Sequence, residues 1–160
     1  MFRKTNNTIL IFILFIISVS LIAIFIIQYG LGHQPCKLCI YERIPYFLSI
    51  FLILEMIFFK KNLKITLLLL SFLFIISAIL AFYHLGIEQG FFDESLVCKS
   101  QNPSEELSKE QLLRQLKENT VSCKDVGFKI FGLSLASING IFSLVLSAIF
   151  IRLSLNYGKN

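Results

Sequence analysis

An all-α membrane protein is the fold class this sequence predicts: a four-transmembrane-helix bundle with a short amphipathic helix in its second outer loop. Three observations lead there, namely an apolar excess, its gathering into four blocks, and a lopsided distribution of lysine and arginine between the connections. Of 160 residues, 56% are hydrophobic and 16% charged, whereas a soluble domain carries about 45–50% apolar and about 25% charged residues. Mean hydropathy is +0.76. The apolar blocks run over 9–27, 44–59, 65–83 and 130–151, interrupted by a single charge at Glu55. An apolar helix of about 20 residues crosses a hydrocarbon core of about 30 Å. One membrane domain, 1–160, accounts for the chain, with helices expected at about 9–27, 40–59, 65–83 and 130–151 and outer loops at about 28–39 and 84–129.

The first block follows Arg3 and Lys4. It is longer than the roughly 7–15 residue core of a signal peptide, and no Ala-x-Ala-like site follows, so a retained helix is expected. The second block has 16 residues from Ile44 to Phe59, about 24 Å of helix. A start near Ile40 supplies the missing length and sets Cys39 at the helix N-terminus. Pro45 then kinks the second turn, unless the helix proper starts at Ile44 with proline in its first turn. Glu42 and Arg43 are expected at the interface, reaching headgroups or each other. Glu55 is expected to snorkel towards Lys60 and Lys61.

The connection 84–129 is too long for a plain linker. Ser108 and Gln111 form a capping box, and Leu107 with Leu112 a hydrophobic staple, so a short amphipathic helix is expected there. In the last block Gly132, Ala136 and Gly140 recur every fourth position, followed by Ser143 and Ser147. Such spacing lets transmembrane helices pack closely. Asn139 on that helix is expected to make an interhelical hydrogen bond.

Orientation follows from the basic residues. The N-terminal tail, the second connection and the C-terminal end together hold Arg3, Lys4, Lys60, Lys61, Lys64, Arg152 and Lys159, without an acidic residue. Segment 84–129 holds six basic and eight acidic residues. Both termini should therefore be cytoplasmic and both cysteine-bearing loops external. The net charge of +5 reads as a topology signal, and no nucleic-acid partner is implied.

All four cysteines fall on that outer, oxidising side, Cys36 and Cys39 in the first loop, Cys98 and Cys123 in the second. Cys36-Lys37-Leu38-Cys39 can close a small, reducible disulfide. If Cys39 and Arg43 share a helix they are i,i+4 neighbours; a cation and a helix N-terminus both favour thiolate. A zinc half-site or a stapling disulfide fits the same residues, and His33 and His84 could complete a zinc site. Two cysteine pairs on one face also suggest a relay of dithiol–disulfide exchanges. The membrane-held pair would then need a lipid-soluble acceptor, for which a quinone is suited.

Cys36-Lys37-Leu38-Cys39-Ile40-Tyr41-Glu42-Arg43 closely resembles the signature of the disulfide bond formation protein B (DsbB) family of membrane thiol oxidases. So do the four spans, the second cysteine pair, the stretch Tyr83-His84-Leu85-Gly86-Ile87-Glu88-Gln89-Gly90, and Phe131-Gly132-Leu133-Ser134-Leu135. The resemblance covers nearly the whole chain. It implies a protein-disulfide:quinone oxidoreductase of the bacterial inner membrane that reoxidises a DsbA-like, thioredoxin-fold periplasmic partner. The implied acceptor is a quinone, with ubiquinone placed ahead of menaquinone. Cys98 would form the mixed disulfide with the partner and Cys123 would resolve it. Cys36 would exchange with that pair, while Cys39, as thiolate, faces the quinone. Arg43 would stabilise the thiolate and polarise the quinone, and His84 would lie near the same pocket. No chemistry attaches to Glu88 or Gln89.

Two other readings compete. A reductase of the vitamin K epoxide reductase type also couples cysteines to quinones, but there the Cys-x-x-Cys lies on the final helix. A metal-binding or structural membrane protein would use the cysteines as ligands or staples.

Overall fold

The computed structural model describes residues 2–59, 62–93, 98, 122–124, 129–130 and 132–156. The expected amphipathic helix around Ser108–Leu116 lies outside the described residues. Helix α1 (Phe2–Phe25) runs into a π-helical turn, Ile26–Gly30; a short α2 (Lys37–Tyr41) precedes α3 (Ile44–Phe59) and α4 (Leu63–Glu88). Two-residue strands β1 (Lys129–Ile130) and β2 (Leu133–Ser134) pair antiparallel, and α5 (Leu135–Asn156) follows.

Among the described residues, three stretches are long and apolar enough to cross a membrane: Asn7–Gly30, Leu63–Glu88 and Leu135–Asn156. With its 16 residues α3 is the fourth member of the bundle and is extended at its N-terminal end by α2. Pro45 explains the break between them. Lacking an N–H, it cannot bond the carbonyl of Tyr41, and its ring crowds that carbonyl. The ladder therefore turns at Glu42 and Arg43, and α3 restarts with the Tyr46 and Phe47 amides on the Arg43 carbonyl. The helix proper starts at Ile44, not near Ile40, and proline sits harmlessly in its first turn.

The last helix starts at Leu135, later than the expected 130, for two local reasons. Gly132 has φ +82°, a left-handed conformation that closes the hairpin and is open to glycine without strain. Ser134 then caps α5, its Oγ accepting the Ser137 amide at 3.2 Å.

Side chains from all four long helices fill the core. Ile17 of α1, Ile53 of α3, Leu70 and Phe74 of α4, and Phe150 of α5 are fully buried. The Phe74 and Phe150 rings stack 5.7 Å apart, and Tyr46 meets Phe74 edge-on at 5.6 Å. The most extensive packing joins α4 to α5. Small residues permit it: a Cβ on Gly140 would already touch Ala81 at 3.6 Å, while Ser77 and Ser143 bond at 3.0 Å and Ser71 and Ser147 at 3.3 Å. Outward, Phe12, Phe15, Phe51, Phe58, Phe72 and Phe82 are each more than 60% exposed. Apolar faces of that extent belong against lipid.

Candidate active site

The end of the bundle that carries α2 gathers the chemistry. Pro35 leads into Cys36, whose extended backbone makes it the N-cap of α2, and its sulfur accepts the Cys39 amide at 3.2 Å. The two sulfurs lie 2.8 Å apart, so a small rotation separates the open dithiol from a bond of about 2.05 Å. From α4, His84 brings Nε2 to 3.5 Å from the Cys36 sulfur. Its other nitrogen, Nδ1, donates to Glu42 Oε1 at 2.9 Å, and Asn139 Nδ2 donates to Glu42 Oε2 at 2.8 Å.

His84 stands in the last turn of α4, and the way that helix ends fixes its place. The Phe91 and Phe92 amides turn back onto the Gly86 carbonyl. The Phe92 ring lies where a Cβ of residue 86 would be, 2.2 Å from its ideal position. Glycine is therefore required there by close approach, and Phe92 also stacks on Tyr83 at 5.6 Å.

The charge in the open pair belongs to Cys36. A hydrogen bond from the Cys39 thiol, with His84 adding to it against the opposing effect of burial, holds Cys36 down to about 4. Cys39 is pushed up by that same hydrogen bond, by burial and by the charges of Cys36 and Glu42. Two thiols this close lose the first proton readily and keep the second. The resemblance placed the thiolate on Cys39 for the quinone step; in the open dithiol, Cys36 is the N-cap and takes the free amide of α2, so the charge goes there.

Beside these groups opens a cavity of about 330 Å³, in the size range of small-molecule sites. Its apolar walls include Ile24, Ile27, Ile138 and Phe142, and Cys36, Cys39, Arg43 and His84 line it too. Arg43 donates from Nη1 to Gln28 Oε1, a residue the π-helical turn carries. Its guanidinium carbon lies 5.4 Å from the Phe25 ring centroid. Its Nε is buried with no protein partner among the described residues.

Cys98 and Cys123 form a disulfide, which among three possible connectivities is the one closed here. A pair that meets a soluble partner, as the resemblance implies, would be expected at the surface. Instead both residues are buried, 3% and 1% exposed, in a cluster with Cys36, Leu38 and Ile87. The apolar disulfide gains by packing there rather than facing water.

Cys36, Cys39, Arg43 and His84 thus share one cavity, with the second pair packed behind Cys36. Glu42 departs from expectation. It is 7% exposed and turned inward, because His84 and Asn139 supply the donors a buried carboxylate needs. Asn139 makes the expected interhelical bond, but its partner is this carboxylate. Glu88 also faces the site, Oε1 lying 3.7 Å from His84 Nε2. Residue type alone did not mark Glu42, though it stands three residues after Cys39. Nothing local joins it to Asn139, 97 positions later. Among the described residues, the ligand atoms of Cys36, Cys39 and His84 lie within 4.8 Å of one another.

Residues 6–153 match the family described as Disulfide bond formation protein DsbB. The chain is also 32% identical over 152 residues to an uncharacterized protein of Rickettsia prowazekii (strain Madrid E), covering 92% of this chain and 88% of that one. No solved structure matches.

Proposed function

Because this chain belongs to the DsbB family of disulfide bond formation proteins, a family of membrane oxidoreductases acting on disulfides, we propose that it reoxidises a DsbA-like, thioredoxin-fold partner and delivers the electrons to a quinone in the cavity beside Cys36 and Cys39. The quinone is ubiquinone ahead of menaquinone. The site is on the periplasmic face of a bacterial inner membrane, with both termini cytoplasmic; the distribution of basic residues supports this orientation.

One observation carries the reading: a cysteine pair at bonding reach lines an apolar cavity that Arg43 also lines, its Nε buried with no hydrogen-bond partner among the described residues. A quinone ring fits such a place, since its faces are apolar and its carbonyl oxygens accept hydrogen bonds. When bound, a quinone supplies an acceptor for two electrons and two protons.

The protein's own groups would act as follows. A partner thiolate attacks Cys98 and displaces Cys123 as thiolate. The partner's second thiolate then breaks that mixed disulfide, leaving an oxidised partner and a reduced Cys98–Cys123 pair. Cys123 next attacks Cys36 of a closed Cys36–Cys39 bond, and Cys39 departs as thiolate towards the cavity, beside Arg43. With Cys36 held in the mixed disulfide, the thiol that shared a proton with Cys39 is gone, so Cys39 carries the charge at that stage. Attack by Cys98 re-forms Cys98–Cys123 and frees Cys36, the state described here. Two electrons then rest on Cys36 and Cys39, one proton is shared between their sulfurs, and the second can be held by His84. For the partner to reach Cys98, the buried outer disulfide must first swing out.

Trapping tests this order. A reduced thioredoxin-fold partner that keeps only its attacking cysteine should accumulate as a mixed disulfide on Cys98 of wild-type protein, displacing Cys123 as thiolate, and should form no such adduct with Cys98→Ser protein. Accumulation on Cys36 in wild-type protein would overturn the order.

A metal-binding reading has one observation in its favour, the Cys36, Cys39 and His84 donor set, which suits a soft cation. Stoichiometric zinc in purified protein, together with undiminished thiol oxidation by Cys39→Ser, would favour it.

A further inference from the structure

Asn139 carries neither sulfur nor charge, yet it ends the polar chain that starts at the reactive thiol. From the Cys36 sulfur that chain passes through His84 Nε2 and Nδ1 to Glu42 Oε1, and from Glu42 Oε2 to Asn139 Nδ2. On the far side of the amide, Asn139 Oδ1 accepts from the Tyr46 hydroxyl and, at 3.4 Å, from Ser143 Oγ. Four elements thus meet through side chains: the turn after α2, then α4, α5 and α3.

The amide has one workable orientation. Turned over, it would set its carbonyl oxygen against a buried carboxylate and its NH₂ against two hydroxyls, leaving Glu42 a donor short. Tyr46 is 4% exposed and clamped between Phe74 and Phe142. Its hydroxyl is therefore held in place by packing, and the amide is held through it. A carboxylate fixed in this way receives the proton on His84 Nδ1, and Nε2 is left to meet Cys36. His84 Nε2 has a competitor, Glu88 Oε1 at 3.7 Å. Among the described residues, the other titratable or charged groups lining the cavity with that ring are Cys36, Cys39, Glu42, Arg43, His33 and Tyr46.

We propose that Asn139, anchored by Tyr46, is a positioning residue for the thiol chemistry: it sets the Glu42 carboxylate against His84 and so decides that Nε2 serves Cys36 rather than Glu88. The inference deepens the oxidase reading and depends on it for the meaning of Cys36, but its direct readout needs neither quinone nor partner. Without the Asn139 amide, Glu42 is released from α5, and the ring follows the carboxylate or turns to Glu88. Cys36 then loses a hydrogen-bond donor to its thiolate, and the protonated thiol is favoured.

The test uses the full-length membrane protein with the Cys36–Cys39 pair reduced and the outer disulfide intact. Labelling of Cys36 by iodoacetamide is followed against pH, by mass spectrometry of its peptide, in wild type, Asn139→Leu, Tyr46→Phe, Glu42→Gln and the double variant Glu42→Gln/Asn139→Leu. Asn139→Leu should move the labelling midpoint upward by about one pH unit, about tenfold less thiolate at a fixed pH below it. Tyr46→Phe should move it in the same direction by less. The double variant should shift no further than Glu42→Gln alone, since both act through one carboxylate. A wild-type midpoint in Asn139→Leu and Tyr46→Phe, with a shift in Glu42→Gln, overturns the proposal. If Asn139→Leu fails to fold, Tyr46→Phe, which keeps its ring packing, decides on the same criterion. A failed oxidase reading looks different: the midpoints shift as stated, but Cys36 variants still oxidise thiol substrates.

Discussion

His84 and Glu42 are 42 positions apart in the chain and meet in a 2.9 Å hydrogen bond, both nearly excluded from solvent. This pair ties the turn after the cysteine motif to the end of α4. Removing one member strands the other. His84→Ala should lower thermal stability by about 1–3 kcal/mol, the cost of leaving a buried polar group short of a partner. The double variant His84→Ala/Glu42→Ala should lose less than the sum of the two single changes. Calorimetry of the purified protein checks this, and strict additivity would mean the pair is not coupled.

The reduced Cys36–Cys39 pair should titrate far from ordinary cysteine. A free thiol ionises near about 8.5, while Cys36 is held down to about 4. Because its folded value is depressed, the group adds stability that is fully present above the ordinary value and is lost as pH falls through about 4. Thiolate absorbance of the reduced protein should therefore persist at pH 6 and disappear close to pH 4. A midpoint in the ordinary cysteine range would contradict the geometry around the sulfur.

Gly86 should tolerate no side chain while Phe92 keeps its place. In Gly86→Ala the new Cβ would lie 2.2 Å from the ring, so Phe92 must swing out of its stack with Tyr83. A loss of about 1–3 kcal/mol is expected, as for overpacking. Adding Phe92→Ala should make Gly86→Ala nearly neutral relative to Phe92→Ala alone. Melting curves of the three variants decide it.

Burial of Cys98 and Cys123 should slow their reduction. In the folded membrane protein, a bulky water-soluble phosphine should open this disulfide at least tenfold more slowly than in denatured protein, and Cys98→Ser/Cys123→Ser should lose about 3–4 kcal/mol from relaxed loop closure. Equal rates would show that the pair is open to solvent at rest.

The bundle was legible because the bilayer demands long apolar helices, and four such blocks stand out in the chain. Where each helix begins was harder to read. Pro45 allowed two starts for the second helix, and only the missing hydrogen bond to Tyr41 selects Ile44. The last helix waits for the Ser134 cap after Gly132, a turn the apolar pattern passes over. In the site, Cys36, Cys39, Arg43 and His84 announced themselves by residue type and by the signature. Glu42 did not, since a charge at a membrane edge ordinarily points to water, and only two donors from distant helices draw it inward. The burial of the Cys98–Cys123 disulfide was equally hidden, because spacing reports which cysteines can pair but says nothing of where the bridge docks.

In the proposed relay the electrons' route out runs through Cys39 into the cavity beside Arg43. Stopped-flow oxidation of a reduced DsbA-like protein by this purified protein, with and without added quinone, tests it most directly. Turnover should require quinone, vanish in Cys39→Ser and in Cys98→Ser, and fall by about tenfold or more in Arg43→Ala, as for loss of a charge-assisted hydrogen bond. Turnover indifferent to quinone, or intact in Cys39→Ser, would contradict it.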